Sequence, residues 1–236
     1  MIYCFGDSIT KGSPGVSYLK YLSSPKDCQN QGVGGETVSG LTLRLKQHMK
    51  KHDDPHYILQ IGTNDILLPY LERQSPKWKK RLTNIKKRGG RPSTTEIQFN
   101  KSYQELVDLM KKRKKKIILI NIPVIGEDLQ HSRNRKVEKY NGIIRAIAQK
   151  EGIPLIDYYG WQGEQLTDHQ EKKHFFIGED PKQVVFDVFR TMTGGGRKNL
   201  SRKRNLHLTV DGVHLNDAGA RGLASLVEKE MTKVMR

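Results

Sequence analysis

The sequence predicts an α/β fold in which helices cover both faces of a five-stranded parallel sheet. Short apolar runs alternate along the 236 residues with stretches of helical periodicity. Strands that alternate with helices are joined by right-handed crossovers, so the strands run parallel and the helices pack on the two faces of the sheet. The length suits one domain with a substantial core. We therefore interpret residues 1–236 as a single three-layer α/β/α sandwich.

Five short runs predict the strands of this sheet. Segments of this length that are rich in apolar, β-branched and aromatic residues are typical of buried strands. In chain order they are "MIYCF" at 1–5, "DCQNQG" at 27–32, "YILQIG" at 57–62, "KIILINIPV" at 116–124 and "PLIDYY" at 154–159. The second run is the weakest of the five.

Helical periodicity predicts the elements between and after these strands. They cover residues of about 15–23, 37–51, 94–114 and 134–151, and a last helix begins near 216 and continues to the C-terminus. In the fourth, one face is formed by apolar side chains at intervals of three or four, namely Val137, Tyr140, Ile144 and Ile147. Such a face is typical of a helix that packs on a sheet.

Two segments exceed a minimal five-unit α/β pattern, and they hold most of the excess positive charge. One covers about 68–93, and the other covers about 161–206 and contains the helical stretch "DPKQVVFDVFRTM". The formal net charge is +17; residues 73–91 contribute nine cations and residues 197–204 five, with no acid in either stretch. Both insertions leave the carboxyl end of a strand, so both are expected on the ligand side of the sheet.

The basic insertions allow two interpretations. A run of like charges is often a solvated loop that is partly disordered. Alternatively, cations around a crevice attract an anionic substrate or polymer. Trp78 in "KWKK" suits a lid or a stacking contact, and it equally suits a residue that pins the loop to the core.

Chemically distinctive residues follow the predicted strands and precede the last helix. They occur in four blocks: "FGDSIT" with Ser8, "NQGVGGET" with Gly32, Gly34 and Gly35, "GTND" with Asn64, and "DGVHLND" with Asp211 and His214. The carboxyl ends of parallel strands lie at one edge of the sheet, where ligands bind. We therefore expect the four blocks to meet in one crevice.

These residue types are the ones that acyl transfer from an ester requires. A serine is a weak nucleophile until a base removes its proton, and His214 can be that base. Asp211, three residues earlier, can hold the other ring nitrogen and so fix the tautomer. The oxyanion needs donors, each worth about 3 to 4 kcal/mol, and a glycine N–H, the Asn64 amide and the N–H of Ser8 can supply them.

The four blocks resemble, in the same order, those of the SGNH/GDSL hydrolase family. The resemblance implies a flavodoxin-like three-layer fold and a metal-independent serine hydrolase without a cofactor. It implies Ser8 as nucleophile, Asp211 and His214 as its partners, and an oxyanion hole of Ser8, Gly35 and Asn64. The two insertions lie outside it. Members of the family include esterases, lipases, thioesterases and carbohydrate deacetylases.

Several neighbouring side chains have simpler interpretations. Asp7 is predicted to cap a helix or to bond within a turn, and Asp65 is expected to be structural. His207 is predicted to be a packed or surface histidine rather than a second base. Cys4 and Cys28 are expected to be free thiols, Cys4 within the strand core.

The sequence therefore predicts a hydrolase of a small acyl or acetyl ester that forms an acyl-enzyme on Ser8. A thioesterase or an acyltransferase would use the same residues. Two further classes stay open, namely a polyanion- or nucleic-acid-binding protein on a hydrolase scaffold, and an inactive domain whose insertions fill the crevice.

The expected partner is a small-molecule, carbohydrate or lipid ester, with an anionic one favoured by the cations. Nucleic acid is not the expected partner, and the sequence does not indicate an oligomeric state. Because the sequence shows neither a secretory signal nor an apolar stretch of about 20 residues, the cytoplasm is the expected location.

Overall fold

The sheet has five parallel strands, as the sequence predicts. The computed structural model describes residues 1–169, 175–177 and 181–234. The strands are, in chain order, β1 (Ile2–Gly6), β2 (Cys28–Gly32), β3 (His56–Gln60), β4 (Lys116–Ile120) and β5 (Leu155–Ile156).

The strand order opens a crevice at the carboxyl edge of the sheet. The order is β2-β1-β3-β4-β5, and all four pairings are parallel. Gly6 is in register with Gly32 and Gln60, so the first three strands end at one level. The chain winds outward from β1 in one direction and then from β3 in the other. Ligands bind beyond the strand ends at such a reversal.

The α-helices lie on both faces of the sheet and above its carboxyl edge. They are α1 (Ser8–Lys11), α2 (Val38–His48), α3 (Thr63–Gln74), α4 (Lys77–Lys87), α5 (Glu96–Lys112), α6 (Ser132–Glu151), α7 (Tyr158–Leu166), α8 (Pro181–Arg190), α9 (Gly194–Lys203) and α10 (Asp217–Val234). Side-chain oxygens cap several first turns; Thr37 accepts from the N–H of Gly40, and Thr95 from that of Gln98. Such caps satisfy N–H groups that have no partner within the helix.

Alternate strand side chains enter two separate cores. Tyr3 and Phe5 of β1 pack with α2, α5 and α6, while Cys4 between them faces α7 and α10. The same alternation holds in β3, where Ile58 shares the core of Cys4. Because successive side chains of a strand point to opposite faces, a sheet covered on both sides has two cores. These are the three layers that the sequence predicts.

Two predicted elements differ in the structure. Residues 15–23 form a short 3-10 helix, Tyr18–Tyr21, in place of an α-helix. The N–H of Val16 donates to the carbonyl of Leu215, so a tertiary hydrogen bond, and not an α-helical one, holds the start of this segment. The fifth strand ends early because Asp157 accepts from the N–H of Gly160 and starts α7.

The first insertion is helical, which corrects its interpretation as a solvated loop. α3 and α4 occupy it, and α4 buries Trp78, Leu82 and Ile85 at intervals of four and three residues. Trp78 joins the core with the side chains of α2 and α5 and so pins this segment. The opposite side of α4 exposes cations, namely Lys79, Lys80, Lys86 and Lys87.

The second insertion contains α8 and α9. The predicted helical stretch at 180–192 corresponds to α8, with Asp180 outside the described residues. α8 packs against both α4 and α9, so the two insertions meet. No helix within the described ranges is both long enough and apolar enough to cross a membrane.

Candidate active site

Ser8 lies at the carboxyl end of β1, on the first turn of α1. Asp7 accepts a hydrogen bond from the N–H of Ile9 (2.9 Å), as predicted for a helix cap. A Cβ on Gly32 would lie 2.1 Å from the backbone nitrogen of Lys11, so only glycine lets the end of β2 approach α1 this closely. The half-buried side chain of Ser8 is therefore presented where β1 and β2 end.

His214 contacts Ser8, and Asp211 contacts His214. The distance from His214 Nε2 to Ser8 Oγ is 2.9 Å, and that from His214 Nδ1 to Asp211 Oδ2 is 2.6 Å. With Nδ1–H donating to the carboxylate, Nε2 is free to accept the proton of Ser8 Oγ. The structure thus brings together the three side chains that the sequence singles out.

Asp211 is a fully buried carboxylate whose charge the loop stabilises. Its Oδ1 accepts from the N–H groups of Val213 (3.0 Å) and His214 (2.8 Å). Burial alone would raise the pKa of Asp211, but the charge of the His214 ring and hydrogen bonds from that ring and from both N–H groups hold this pKa below its usual value. Asp211 therefore stays ionised beside the histidine.

Gly35 and Asn64 lie on the other side of Ser8. Both line, with Ser8 and His214, one crevice of about 380 Å³. Gly35 has a φ of +78°, a conformation that other residues rarely adopt. One hydrogen of the Asn64 amide goes to the carbonyl of Glu36 (2.9 Å). Since the amide nitrogen carries two hydrogens, this bond fixes its orientation and leaves the second hydrogen for a ligand.

The N–H groups of Ser8 and Gly35 are available as donors. Within the described part of the chain, neither is used in a backbone hydrogen bond of the loops. The first N–H groups of a helix have no partner inside it, which applies to Ser8 at the start of α1. Backbone donors of this kind form oxyanion sites.

Apolar side chains of α3 and of both insertions line one part of the crevice, among polar groups. The apolar side chains are Leu67, Leu68, Leu71, Trp78, Ile177, Val184 and Val188. Two exposed cations, Lys11 and Arg88, also line it. The insertions thus form part of the crevice wall beside Ser8.

A buried glutamate that sequence reasoning missed supports the histidine loop, which is the segment from His207 to His214. Glu127 follows β4, and its carboxylate accepts from the N–H groups of His207 (2.7 Å), Leu208 (2.9 Å) and Thr209 (2.8 Å). It also accepts from the Thr209 hydroxyl at 2.6 Å. These bonds fix the segment that leads to Asp211.

The second insertion is bonded to the same loops. Arg204 pairs with the buried Asp187 of α8 (2.7 Å) and donates to the carbonyl of Val210 (2.7 Å). The N–H of Gly15 donates to the hydroxyl of Thr191 at 2.9 Å. α8 is therefore fixed to the chain on both sides of the Ser8–His214 contact.

The remaining polar residues of the sequence analysis have structural positions or remain free. His207 contributes its backbone to the Glu127 contacts, and the ring that reaches Ser8 is that of His214. Asp65 accepts from the N–H groups of Val38 and Ser93, a structural role as predicted. Cys4 and Cys28 are free thiols. Over the described ranges, no group of three His, Cys, Asp or Glu side chains could hold a metal ion.

A family comparison identifies the chain. The model of the GDSL-like lipase/acylhydrolase family matches residues 4–221. The chain belongs to this family. As a member of the GDSL-like family it is a carboxylic ester hydrolase, and the matched range includes all five predicted site residues. A search of curated proteins finds no match.

Solved structures have the same fold as this GDSL-family chain at low sequence identity. LAE5, an alpha/beta hydrolase enzyme from the metagenome of Lake Arreo, is 19% identical with a TM-score of 0.65, over 99% of this chain and 95% of that one. The acetyl xylan esterase AlAXEase is 21% identical with a TM-score of 0.62, over 97% and 98%. Axe2, an acetylxylan esterase from Geobacillus stearothermophilus, is 19% identical with a TM-score of 0.62, over 98% and 93%.

Replacement of Glu127 tests its support of the histidine loop. Glu127→Ala removes the acceptor of four hydrogen bonds, so we expect the free energy of unfolding to fall by about 3 kcal/mol or more. Glu127→Gln keeps one oxygen and should recover part of the loss. Urea unfolding measures the stability, and kcat should fall more than KM rises because the loop positions His214. The exposed Glu105→Ala is the control, and equal stability of the two alanine variants would contradict this role.

Replacement of Asp7 tests a buried charge beneath Ser8. Burial raises the pKa of Asp7 to about 6, while Asp7 Oδ2 has no hydrogen-bond partner within the described residues. Asp7→Asn keeps the Oδ1 cap and removes the charge. Below about pH 4 the wild-type carboxyl is protonated both folded and unfolded, so the variant should gain nothing.

As pH rises to about 6, the folded wild type holds a proton that the unfolded chain releases, so wild-type stability falls. The variant should therefore be about 3 kcal/mol more stable than the wild type at pH 8. Thermal unfolding from pH 4 to 8 measures this difference. The exposed Asp27→Asn should show no such trend, and an Asp7→Asn gain that is independent of pH would contradict the buried charge.

Proposed function

We propose that the chain hydrolyses carboxylic esters through an acyl-enzyme on Ser8. One observation carries this proposal, namely the unbroken contact from Ser8 Oγ to His214 (2.9 Å) and on to the buried Asp211 (2.6 Å). A serine within reach of a base that a carboxylate orients is the arrangement of activated serine nucleophiles. Family membership supports the same chemistry.

The reaction has two halves with His214 as proton carrier. Ser8 Oγ forms a bond to the acyl carbon while His214 Nε2 takes its proton, and the electron pair of the carbonyl double bond moves to its oxygen. The product is a tetrahedral intermediate with an oxyanion. His214 then gives this proton to the leaving alcohol, and the acyl group stays on Ser8. A water molecule attacks the acyl carbon while His214 takes one of its protons. The bond from the acyl carbon to Ser8 Oγ then breaks, His214 returns the proton to Oγ, and the acid is released.

The oxyanion is stabilised by the N–H groups of Ser8 and Gly35 and by the Asn64 amide. The contact of Asn64 with the carbonyl of Glu36 holds the amide before substrate binds, so no reorganisation accompanies the reaction. Preorganised donors of this kind each contribute about 3 to 4 kcal/mol to the transition state.

The apolar walls favour an acyl chain longer than acetyl. Acetyl xylan esterases share the fold, yet the crevice beside Ser8 is lined by apolar side chains of α3 and of both insertions. Each methylene that leaves water for such a wall gains about 0.8 kcal/mol. We therefore propose butyryl to octanoyl esters as better substrates than acetyl esters.

The alternatives from the sequence receive different support. A domain whose insertions fill the crevice is disfavoured, since a cavity of about 380 Å³ adjoins Ser8 and His214. A protein that only binds polyanions is also disfavoured, because such binding does not require a buried Asp211 that is hydrogen-bonded to His214. A thioesterase or acyltransferase uses the same atoms, so comparison of ester, thioester and added alcohol acceptors separates these activities.

Replacement of Ser8 tests the nucleophile. Ser8→Ala should lower kcat/KM for p-nitrophenyl butyrate by at least about 10³-fold, because His214 then has no group to deprotonate for attack. Ser225→Ala, an exposed serine on α10, is the matched control and should retain wild-type activity. Retention of most activity by the Ser8 variant would contradict the mechanism.

Chain-length preference tests the acyl side of the crevice. Val188→Trp narrows the crevice, so kcat/KM for p-nitrophenyl octanoate should fall about tenfold or more while that for the acetate changes less than about twofold. Val185→Trp on the exposed side of the same helix is the matched control. An equal loss on both esters would place the acyl chain elsewhere.

A further inference from the structure

The outward side of α8 exposes large apolar side chains to solvent. We define the apolar face of α8 as Val185, Phe186 and Phe189 together with Met192 in the turn that follows. Their exposed fractions are 52%, 58%, 67% and 74%. Single exposed apolar residues are common on proteins, but a contiguous group marks a surface that binds something.

The inward side of α8 is buried, so this helix is apolar on both sides. Val184 is buried, and at 100° per residue it lies opposite Phe186 and Phe189. A surface helix normally has one apolar side, which packs on the core, and a polar side in water. The apolar face of α8 therefore has no structural task within the described fold.

The same helix forms part of the crevice, so the apolar face lies on the outer side of the crevice wall. Val184 and Val188 line the crevice on the inward side. The Asp187–Arg204 ion pair and the Thr191–Gly15 hydrogen bond fix the helix in place. Whatever the apolar face contacts is thereby brought close to the substrate.

The helices that pack against α8 are rich in exposed cations. α8 packs against α4 and α9, the helices that hold most of the excess charge. The exposed cations of these three helices include Lys79, Lys80, Lys86, Lys87, Arg190, Lys198, Arg202 and Lys203. A partner must therefore offer both an apolar phase and negative charge.

We propose that the apolar face of α8 inserts into the interface of an anionic lipid bilayer. An amphipathic helix with aromatic side chains buries them at the boundary between headgroups and acyl chains, and neighbouring cations bind anionic headgroups. A second copy of this chain is disfavoured, because two surfaces of a protein with net charge +17 would repel each other. Nucleic acid would pair with the cations but would offer no apolar phase to Phe186 and Phe189.

Membrane docking presents the crevice to lipid esters. This consequence for substrate rests on the proposed function, whereas binding itself does not depend on hydrolysis. Ser8→Ala should therefore bind vesicles as the wild type does. If vesicle binding is present and hydrolysis is absent, the docking proposal stands and the proposed chemistry fails.

Vesicle sedimentation tests the docking surface. The wild type should bind vesicles of 70% phosphatidylcholine and 30% phosphatidylglycerol at least about tenfold more tightly than pure phosphatidylcholine, and 0.5 M NaCl should weaken this binding. The double variant Phe186→Ser/Phe189→Ser should lose at least about tenfold in vesicle affinity. Its kcat/KM on soluble p-nitrophenyl butyrate should stay within about twofold of wild type.

Ile97→Ser is the matched control, because Ile97 is an equally apolar side chain, 83% exposed, on α5. It should bind vesicles as the wild type does. Equal vesicle binding by the double variant and the wild type would overturn the proposal, as would equal binding to neutral and anionic vesicles. Light scattering tests the alternative of a second copy. If the wild type self-associates but does not bind vesicles, and the double variant no longer self-associates, the apolar face of α8 binds a second copy instead.

Discussion

The hydrogen bond between Ser8 Oγ and His214 Nε2 joins residues 206 positions apart, and the proposed chemistry requires the rest of the structure to hold the two side chains together. At 2.9 Å it allows little displacement of either side chain. The first strand must therefore end at the same edge of the sheet to which the chain returns before its last helix. A parallel sheet supplies that common edge, and the bond from Val16 N–H to the Leu215 carbonyl fastens the two loops beside it.

Buried charges hold the returning loop in place. Glu127 and Asp187 lie entirely inside the protein, yet each is matched by several donors or by an arginine. A buried charge is costly unless it is fully paired. Displacement of the loop would leave Glu127 or Asp187 without its partners, so it is energetically unfavourable. The second insertion takes part through Arg204, which bonds both Asp187 and the carbonyl of Val210. The insertions therefore support the site as well as shaping its crevice.

The sheet and the central contacts could be predicted from the sequence, whereas their supports could not. Ser8 and His214 occur in blocks next to strand ends or the last helix, and the parallel sheet brings such blocks to one edge. Glu127 is one acid in "IGEDLQ", and its donors lie some 80 residues further along the chain, so no local pattern reveals it. In the first insertion, the spacing of Trp78, Leu82 and Ile85 is that of a helix with one buried face. The many cations between them are instead typical of a solvated loop, so the sequence alone does not decide between the two. The fifth strand is short because the Asp157 cap competes with continued strand pairing, a choice that β propensity does not decide.

The insertions supply apolar side chains of the crevice wall on one side of α8 and an exposed apolar face on the other. The proposed chemistry depends on one atom, Ser8 Oγ. The most direct test is to treat the protein with a fluorophosphonate and to locate the adduct by peptide mass spectrometry. We expect a single adduct on Ser8 in the wild type, and a much slower reaction in His214→Ala because the serine then has no base. An adduct on another residue, or labelling of Ser8 that does not depend on His214, would contradict the account.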